Sequence, residues 1–243
     1  MTPTLLDHAA LVAIVASSLI EWRWSWPRFT RALASGVPGA RMRVYRNIAI
    51  AEWAMTFYIG WLWIVRGRPW IALGIGSVTP LRTGFGAALA VIIVALLWFQ
   101  RRAILAKAKR IERLRERLAF ASSLIPHTSA EHLAFSWVSI TAGICEEFVF
   151  RGFLMWYFAV WTGPLPAALI SSAIFGFGHI YLGLGQVPRT ALVGLIFAAI
   201  VLATGSLWPA IVIHAAVDLN SGDLGFRALS GAPAGPDASA APA

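Results

Sequence analysis

The sequence predicts an all-α protein, a polytopic transmembrane helix bundle of about seven spans. Three observations carry that expectation. The chain of 243 residues is 58% hydrophobic and only 13% charged, with a mean hydropathy of +0.71. A soluble protein of this length needs far more charge to cover its surface. Its 12 Trp suit the membrane–water interface, where an amphipathic ring meets both phases. Its basic residues gather between apolar runs, so the net charge of +9 reads as a signal for membrane orientation and not for nucleic acid.

A bilayer core asks for about 20 apolar residues as helix. The first span is expected at residues 5–20. It reads as an anchor and not as a cleavable signal, because Asp7 and no positive charge precede it and no A-x-A site follows. The next two spans are expected at residues 47–65 and 84–100. A long fourth, at 132–161, calls for a tilt or a break near Gly143 or Gly152. The last three are expected at residues 165–182, 189–204 and 206–220. Aromatic residues of the second span (Trp53, Phe57, Tyr58, Trp61 and Trp63) are expected to anchor it.

Six arginines between residues 21 and 46, and a second basic loop at 101–132, place both segments in the cytoplasm. The N-terminus is then outside and the C-terminus inside. Arg66, Arg68 and Arg82, between the second and third spans, weakly oppose that scheme. Within the second basic loop, Ile104, Leu105, Ile111, Leu114 and Leu118 recur at helical spacing among basic residues. They predict an amphipathic helix lying on anionic lipid. The single cysteine, Cys145, excludes an internal disulfide and is expected to pack. The expected organisation is an N-terminal membrane region (1–130) with three spans and the basic segment, a core (131–224) and a disordered tail (225–243) whose end reads GAPAGPDASAAPA.

Few ionisable residues remain inside the spans. They are Glu52, Glu146, Glu147, Arg151, His179, His214 and Asp218. A charge at mid-bilayer costs at least ~2.5 kcal/mol on insertion scales, so such residues default to function. Glu52 has no partner at helical spacing and is expected in a structural or lipid-interface role. The other six fall into pairs. Glu147 and Arg151 are i and i+4 in CEEFVFRG, with Glu first, and can neutralise each other. Glu146 lies roughly 100° further round the helix and is free for another partner. Phe175 and His179 are i and i+4 in FGFGH, and His214 and Asp218 in HAAVD. Gly176 and Gly178 are expected to let neighbouring helices approach.

One free carboxylate, two imidazoles and a further carboxylate in a dry pocket suit hydrolysis. A carboxylate serves as general base on water, and an imidazole orients that water or donates to an oxyanion. The same Glu/His/His set (Glu146, His179, His214) could instead hold a divalent metal such as zinc.

EEFVFR, FGFGH and HAAVD fit Glu-Glu-x-x-x-Arg, Phe-x-x-x-His and His-x-x-x-Asn/Asp. In that order, on successive apolar helices, they resemble the CAAX protease and bacteriocin-processing (Abi) family of intramembrane proteases, which includes the Ras-converting enzymes. The resemblance covers about residues 133–220, and the first 130 residues carry no motif that can be assigned. It implies that Glu146 is the water-activating base and that Glu147 and Arg151 form the pair that positions it. It implies that His179 holds the water with Glu146, that His214 acts at the oxyanion or as a further ligand, and that Phe175 packs beneath the site. Asp218 stands where some members have Asn. An ionised Asp cannot donate to an oxyanion, so Asp218 is expected to orient His214 or to support a metal.

The function expected is an intramembrane endopeptidase acting on membrane-associated protein or peptide substrates. The alternative is a non-proteolytic membrane interaction or bacteriocin-immunity protein. The residues fix no cofactor, with a divalent metal such as zinc as the alternative. The partners expected are a membrane protein or peptide substrate and the lipid bilayer, without nucleic acid. The Arg-, Ala-, Gly- and Pro-rich composition points to a bacterial plasma membrane. Proton or ion translocation ranks last, since no chain of polar residues continues through the first three spans.

Overall fold

A computed structural model describes residues 2–118 and 122–229. Every regular element among them is helical. Helix α1 (Leu5–Ile20) passes through a π-helical turn (Glu21–Ser25) into α2 (Trp26–Ala34) without a break. After a short turn come α3 (Ala40–Val65), α4 (Pro80–Leu105) and α5 (Ala108–Arg117). Then α6 (Ser129–Glu146) runs through a second π-helical stretch (Glu147–Leu154) into α7 (Met155–Thr162). The chain ends with α8 (Pro164–Gly178), α9 (Val187–Thr204) and α10 (Trp208–Leu229).

Local chemistry sets the boundaries. Pro80 and Pro164 begin α4 and α8, where a missing N–H costs nothing. Thr79 and Thr128 cap α4 and α6 by accepting the backbone N–H groups of Arg82 and Glu131. The long fourth span is not broken near Gly143 or Gly152. It widens into a π turn over Glu147–Leu154, a feature that often marks functional sites. Most of that stretch is buried all round, which makes it the central strut of the bundle.

Five helical segments are long and apolar enough to cross a membrane: Leu5–Ala34, Ala40–Val65, Pro80–Leu105, Ser129–Thr162 and Leu184–Thr204. The protein is therefore an integral membrane helix bundle. α8 is shorter, and α10 carries Asp218, Asp223 and Arg227, so neither joins that set, although each runs between neighbouring spans. α10 continues past residue 225, where the tail was expected to begin. Residues 230–243, and with them GAPAGPDASAAPA, lie outside the described residues.

The two basic segments meet at one end of the bundle. Arg41 donates to the Ser123 carbonyl (3.0 Å) and lies 3.8 Å from Glu131. The Tyr45 hydroxyl donates to the Leu124 carbonyl. Arg101, at the foot of α4, pairs with Asp223 near the end of α10 (2.6 Å). α5 packs against that same end of α10, with Ile111 and Leu114 half-buried and Arg115 donating to the Ala228 carbonyl (2.8 Å). His127 lies here too. Burial, with Arg41 beside it, holds its imidazole below its ordinary pKa.

At the opposite end, Arg68 makes a buried bidentate pair with Asp7 (2.7 Å to each carboxylate oxygen). That pairing neutralises one of the arginines that opposed the orientation scheme. Trp63, expected at the lipid interface, is instead fully buried between Arg68 and Trp156.

Close helix contacts rest on small residues, since lipid is as apolar as leucine and packing must supply the attraction. A Cβ on Gly143 would lie 2.9 Å from the backbone nitrogen of Ala215, so α6 and α10 touch there. A Cβ on Gly176 would lie 2.6 Å from the Val187 carbonyl, which closes α8 on α9. Gly178 plays no such part, because its Cβ would meet only Ser18 Oγ at 3.5 Å.

Candidate active site

Five of the expected polar groups, Glu146, Glu147, Arg151, His214 and Asp218, converge where α6, its π turn and α10 meet. Glu147 and Arg151 pair at 2.9 Å, their side chains 0% and 1% exposed. Arg151 also donates to the Gly194 carbonyl (3.1 Å) and stacks over the rings of Phe175 (4.3 Å) and Phe197 (5.3 Å). Its charge is thus met by one carboxylate, one carbonyl and two ring faces.

Glu147 does a second job. The same Oε1 that receives Arg151 lies 2.7 Å from Nδ1 of His214. An Nδ1–H donated to Glu147 leaves Nε2 of His214 facing the site. Nε2 stands 3.7 Å from Glu146 Oε2 and 3.6 Å from Asp218 Oδ2. Both distances are too long for a direct hydrogen bond. Asp218 was expected to orient His214 by accepting a ring N–H, but the geometry gives that task to Glu147. Phe197 lies flat against the His214 ring (4.9 Å, 14°) and fixes its plane.

His179 sits just past the end of α8. Its Nδ1 lies 2.9 Å from the Phe175 carbonyl, a bond that leaves Nε2 as a free acceptor. The Phe175 ring packs 4.7 Å from His179 and edge-on to His214 at 6.2 Å, so it separates and supports the two imidazoles.

A cavity of about 720 Å³ opens beside these groups, in the size range of ligand sites. Its wall includes Glu146 and His179 together. Neither His214 nor Asp218 lines it. His214 stands behind Glu146, and Asp218 is a third exposed.

Two further carboxylates line the cavity, Glu21 from the π turn after α1 and Glu52 from α3. Sequence reasoning placed Glu21 in a cytoplasmic loop and gave Glu52 a structural or lipid-interface role. Glu52 already stood out as an intramembrane charge. The carboxylates that share its cavity lie on other segments, so helical spacing could not reveal them. Cys145 is buried, as a packing residue is, and also borders the cavity.

Among the described residues no group of three or more His, Cys, Asp or Glu side chains is arranged to hold a metal ion. Nδ1 of His214 and of His179 are each already committed, to Glu147 and to the Phe175 carbonyl. Both Nε2 atoms are left free, the arrangement in which an imidazole ligates a metal; the chemistry below is derived from the protein groups alone.

No curated protein and no solved structure matches the chain. Residues 128–220 match the family model described as Rce1-like, the type II CAAX prenyl endopeptidases. That segment spans α6 to α10 and contains Glu146, Glu147, Arg151, Phe175, His179, His214 and Asp218. The part of the chain that carries all three motifs is thus similar to the Rce1-like family, over residues 128–220.

Proposed function

We propose that the protein is an intramembrane endopeptidase in which Glu146 activates water for attack on a peptide bond. The observation that carries this reading is the placement of Glu146 and His179 on one cavity wall, with His214 held behind Glu146 by Glu147. The Rce1-like family match supports the reaction class.

Glu146 takes a proton from a water that His179 Nε2 helps to hold, and the oxygen attacks the scissile carbonyl carbon. In its protonated form His214 keeps one N–H on Glu147 and turns Nε2–H toward the developing oxyanion. Glu146 then returns its proton to the leaving nitrogen, and the C–N bond breaks. Glu147 and Arg151 touch no substrate in this scheme. They fix the direction of the His214 ring.

A helical substrate has its carbonyls already bonded, so the cavity takes an extended or unwound segment. Arg28 and Arg43 line the cavity and are exposed, which sets its mouth toward the end where the basic segments gather. Under the positive-inside rule that end is cytoplasmic, with the N-terminus outside and the C-terminus inside. Membrane proteins, leader peptides or bacteriocin precursors of a bacterial plasma membrane suit such a site.

The test compares protein termini in membranes from cells carrying wild type or Glu146→Gln, which keeps shape and removes the base. New termini only with wild type are expected. Identical termini, with an intact phenotype in the variant, would move the protein to the membrane-interaction or immunity class. Chelation is expected to leave cleavage unchanged. A metal bound stoichiometrically and lost together with activity would overturn the metal-free scheme.

A further inference from the structure

We propose that Glu52 and Glu21, beside Glu146, form a subsite for a basic side chain (lysine or arginine) of the substrate. This rests on the hydrolase reading above and names the class of substrate it takes. The three carboxylates share one cavity wall. Glu146, Asp218 and Glu21 are the charges that bear on Glu52. Among the described residues no Lys or Arg forms an ion pair with Glu21, Glu52 or Glu146. The two fully buried carboxylates among the described residues each have a cation: Asp7 has Arg68, and Glu147 has Arg151.

A cluster of acids alone would be weak ground. The second observation is Glu52 itself. Its Oε2 is wholly enclosed and has no hydrogen-bond partner, although the side chain borders an open cavity. An enclosed carboxylate oxygen without a donor costs more than an ordinary hydrogen bond returns, and a donor carried by a ligand in the cavity would relieve that cost. Trp26 and Tyr181, with ring centroids 4.8 Å apart, stand in the same wall and offer aromatic faces to a cation. The rest of the wall is mostly apolar, with Ile14, Met55 and Val149 among its members.

A long apolar stem with a cationic head matches that surface, stem on the aliphatic wall and head among the carboxylates. A bare divalent ion suits it less, since no three ligands converge. Arg28 and Arg43 also line the cavity but are exposed, and Arg43 donates to the Pro38 carbonyl (2.9 Å), so neither supplies the missing charge. Basic residues cluster at the cytoplasmic ends of membrane spans, which is where a cavity mouth at the basic end would meet them.

The test uses the full chain in nanodiscs, with Glu146→Gln present so that binding is read without turnover. Two apolar peptides that differ only in one central lysine or norleucine are titrated in. The lysine peptide is expected to bind at least about tenfold tighter, as a charge-assisted bond in a dry site should give. Adding Glu52→Gln should shrink that preference to within about threefold while the norleucine peptide binds as before. Glu21→Gln should shrink it less.

Equal affinities of the two peptides would overturn the proposal. So would a lysine preference that survives both glutamine substitutions, or a Glu52→Gln effect that weakens both peptides alike. Wild-type protein is incubated with the lysine peptide in parallel. Binding preference without cleavage would break the hydrolase reading and keep the subsite. Cleavage without preference would do the reverse.

Discussion

The described residues contain two buried arginine–carboxylate pairs, and they are finished differently. At one end Arg68 meets Asp7 with two parallel bonds of 2.7 Å, between the rings of Trp63 and Trp156. Asp7 Oδ2 also receives the backbone N–H and hydroxyl of Thr4, each at 2.7 Å. Both carboxylate oxygens there have a donor. In the core Arg151 meets Glu147 through one oxygen, between Phe175 and Phe197. That oxygen also serves His214, and the other, Oε2, is buried with no partner. The closed pair does nothing but join the N-terminus of α1 to the loop after α3. The open pair transmits its position to an imidazole. The same chemical pair is saturated by its own donors in one place and shares an oxygen with a histidine in the other.

Breaking either pair by removing one partner leaves a buried charge, which costs about 3–5 kcal/mol. Arg151→Leu should show the largest effect of all, because it loses that stability and also releases Glu147 from the geometry that holds His214. Thermal unfolding and cleavage per folded molecule should both fall, the latter by about tenfold to a hundredfold if His214 only positions or donates. Arg68→Leu should cost a similar ~3–5 kcal/mol in unfolding while cleavage per folded molecule stays near wild type. If Arg68→Leu damages turnover as much as Arg151→Leu does, the distinction between the two pairs collapses. Asp7→Asn combined with Arg68→Leu should recover part of the loss, since an apolar replacement of both charges is far cheaper than one orphan.

A smaller effect is expected at the helix contact that brings the open pair to its histidine. Gly143→Ala puts a methyl 2.9 Å from the Ala215 backbone nitrogen, so α10 must retreat by some tenths of an ångström. Overpacking of this kind costs about 1–3 kcal/mol. The retreat also carries His214, one residue before Ala215, away from Glu147, so turnover should drop with stability. Gly178→Ala, whose methyl meets only a serine hydroxyl at 3.5 Å, is the matched control and should change neither.

Much of this was legible in the sequence, for reasons particular residues make plain. The open pair was readable because Glu147 and Arg151 are i and i+4 on one helix. The closed pair was not, because Asp7 lies on α1 and Arg68 in the loop after α3, and sequence spacing carries no signal across such a gap. Arg68 therefore counted as a loop charge opposing the orientation scheme. Glu52 and Glu21 were missed in the same way. The seven apolar runs were visible by composition, yet their ends were not. Glu21 and the arginines after it look like a loop, but a π turn carries the helix on to Ala34. Hydropathy measures what a residue prefers to touch, and neither the π turn nor the sharing of Glu147 Oε1 between Arg151 and His214 depends on that preference.

The smallest predicted effect isolates the surplus bonding of the closed pair. Thr4→Val keeps the shape of the residue and removes the hydroxyl that donates to Asp7 Oδ2. The carboxylate keeps both bonds from Arg68 and the backbone N–H of Thr4. Loss of one hydrogen bond among four should then cost about 1 kcal/mol in chemical unfolding, with no change in cleavage. A loss near that of Arg68→Leu would mean that the cap, and not the arginine, holds the end of α1 in place. No loss at all would mean that the two guanidinium bonds already satisfy Asp7. The closed pair would then be saturated by arginine alone, and its contrast with the half-empty Glu147 would become sharper still.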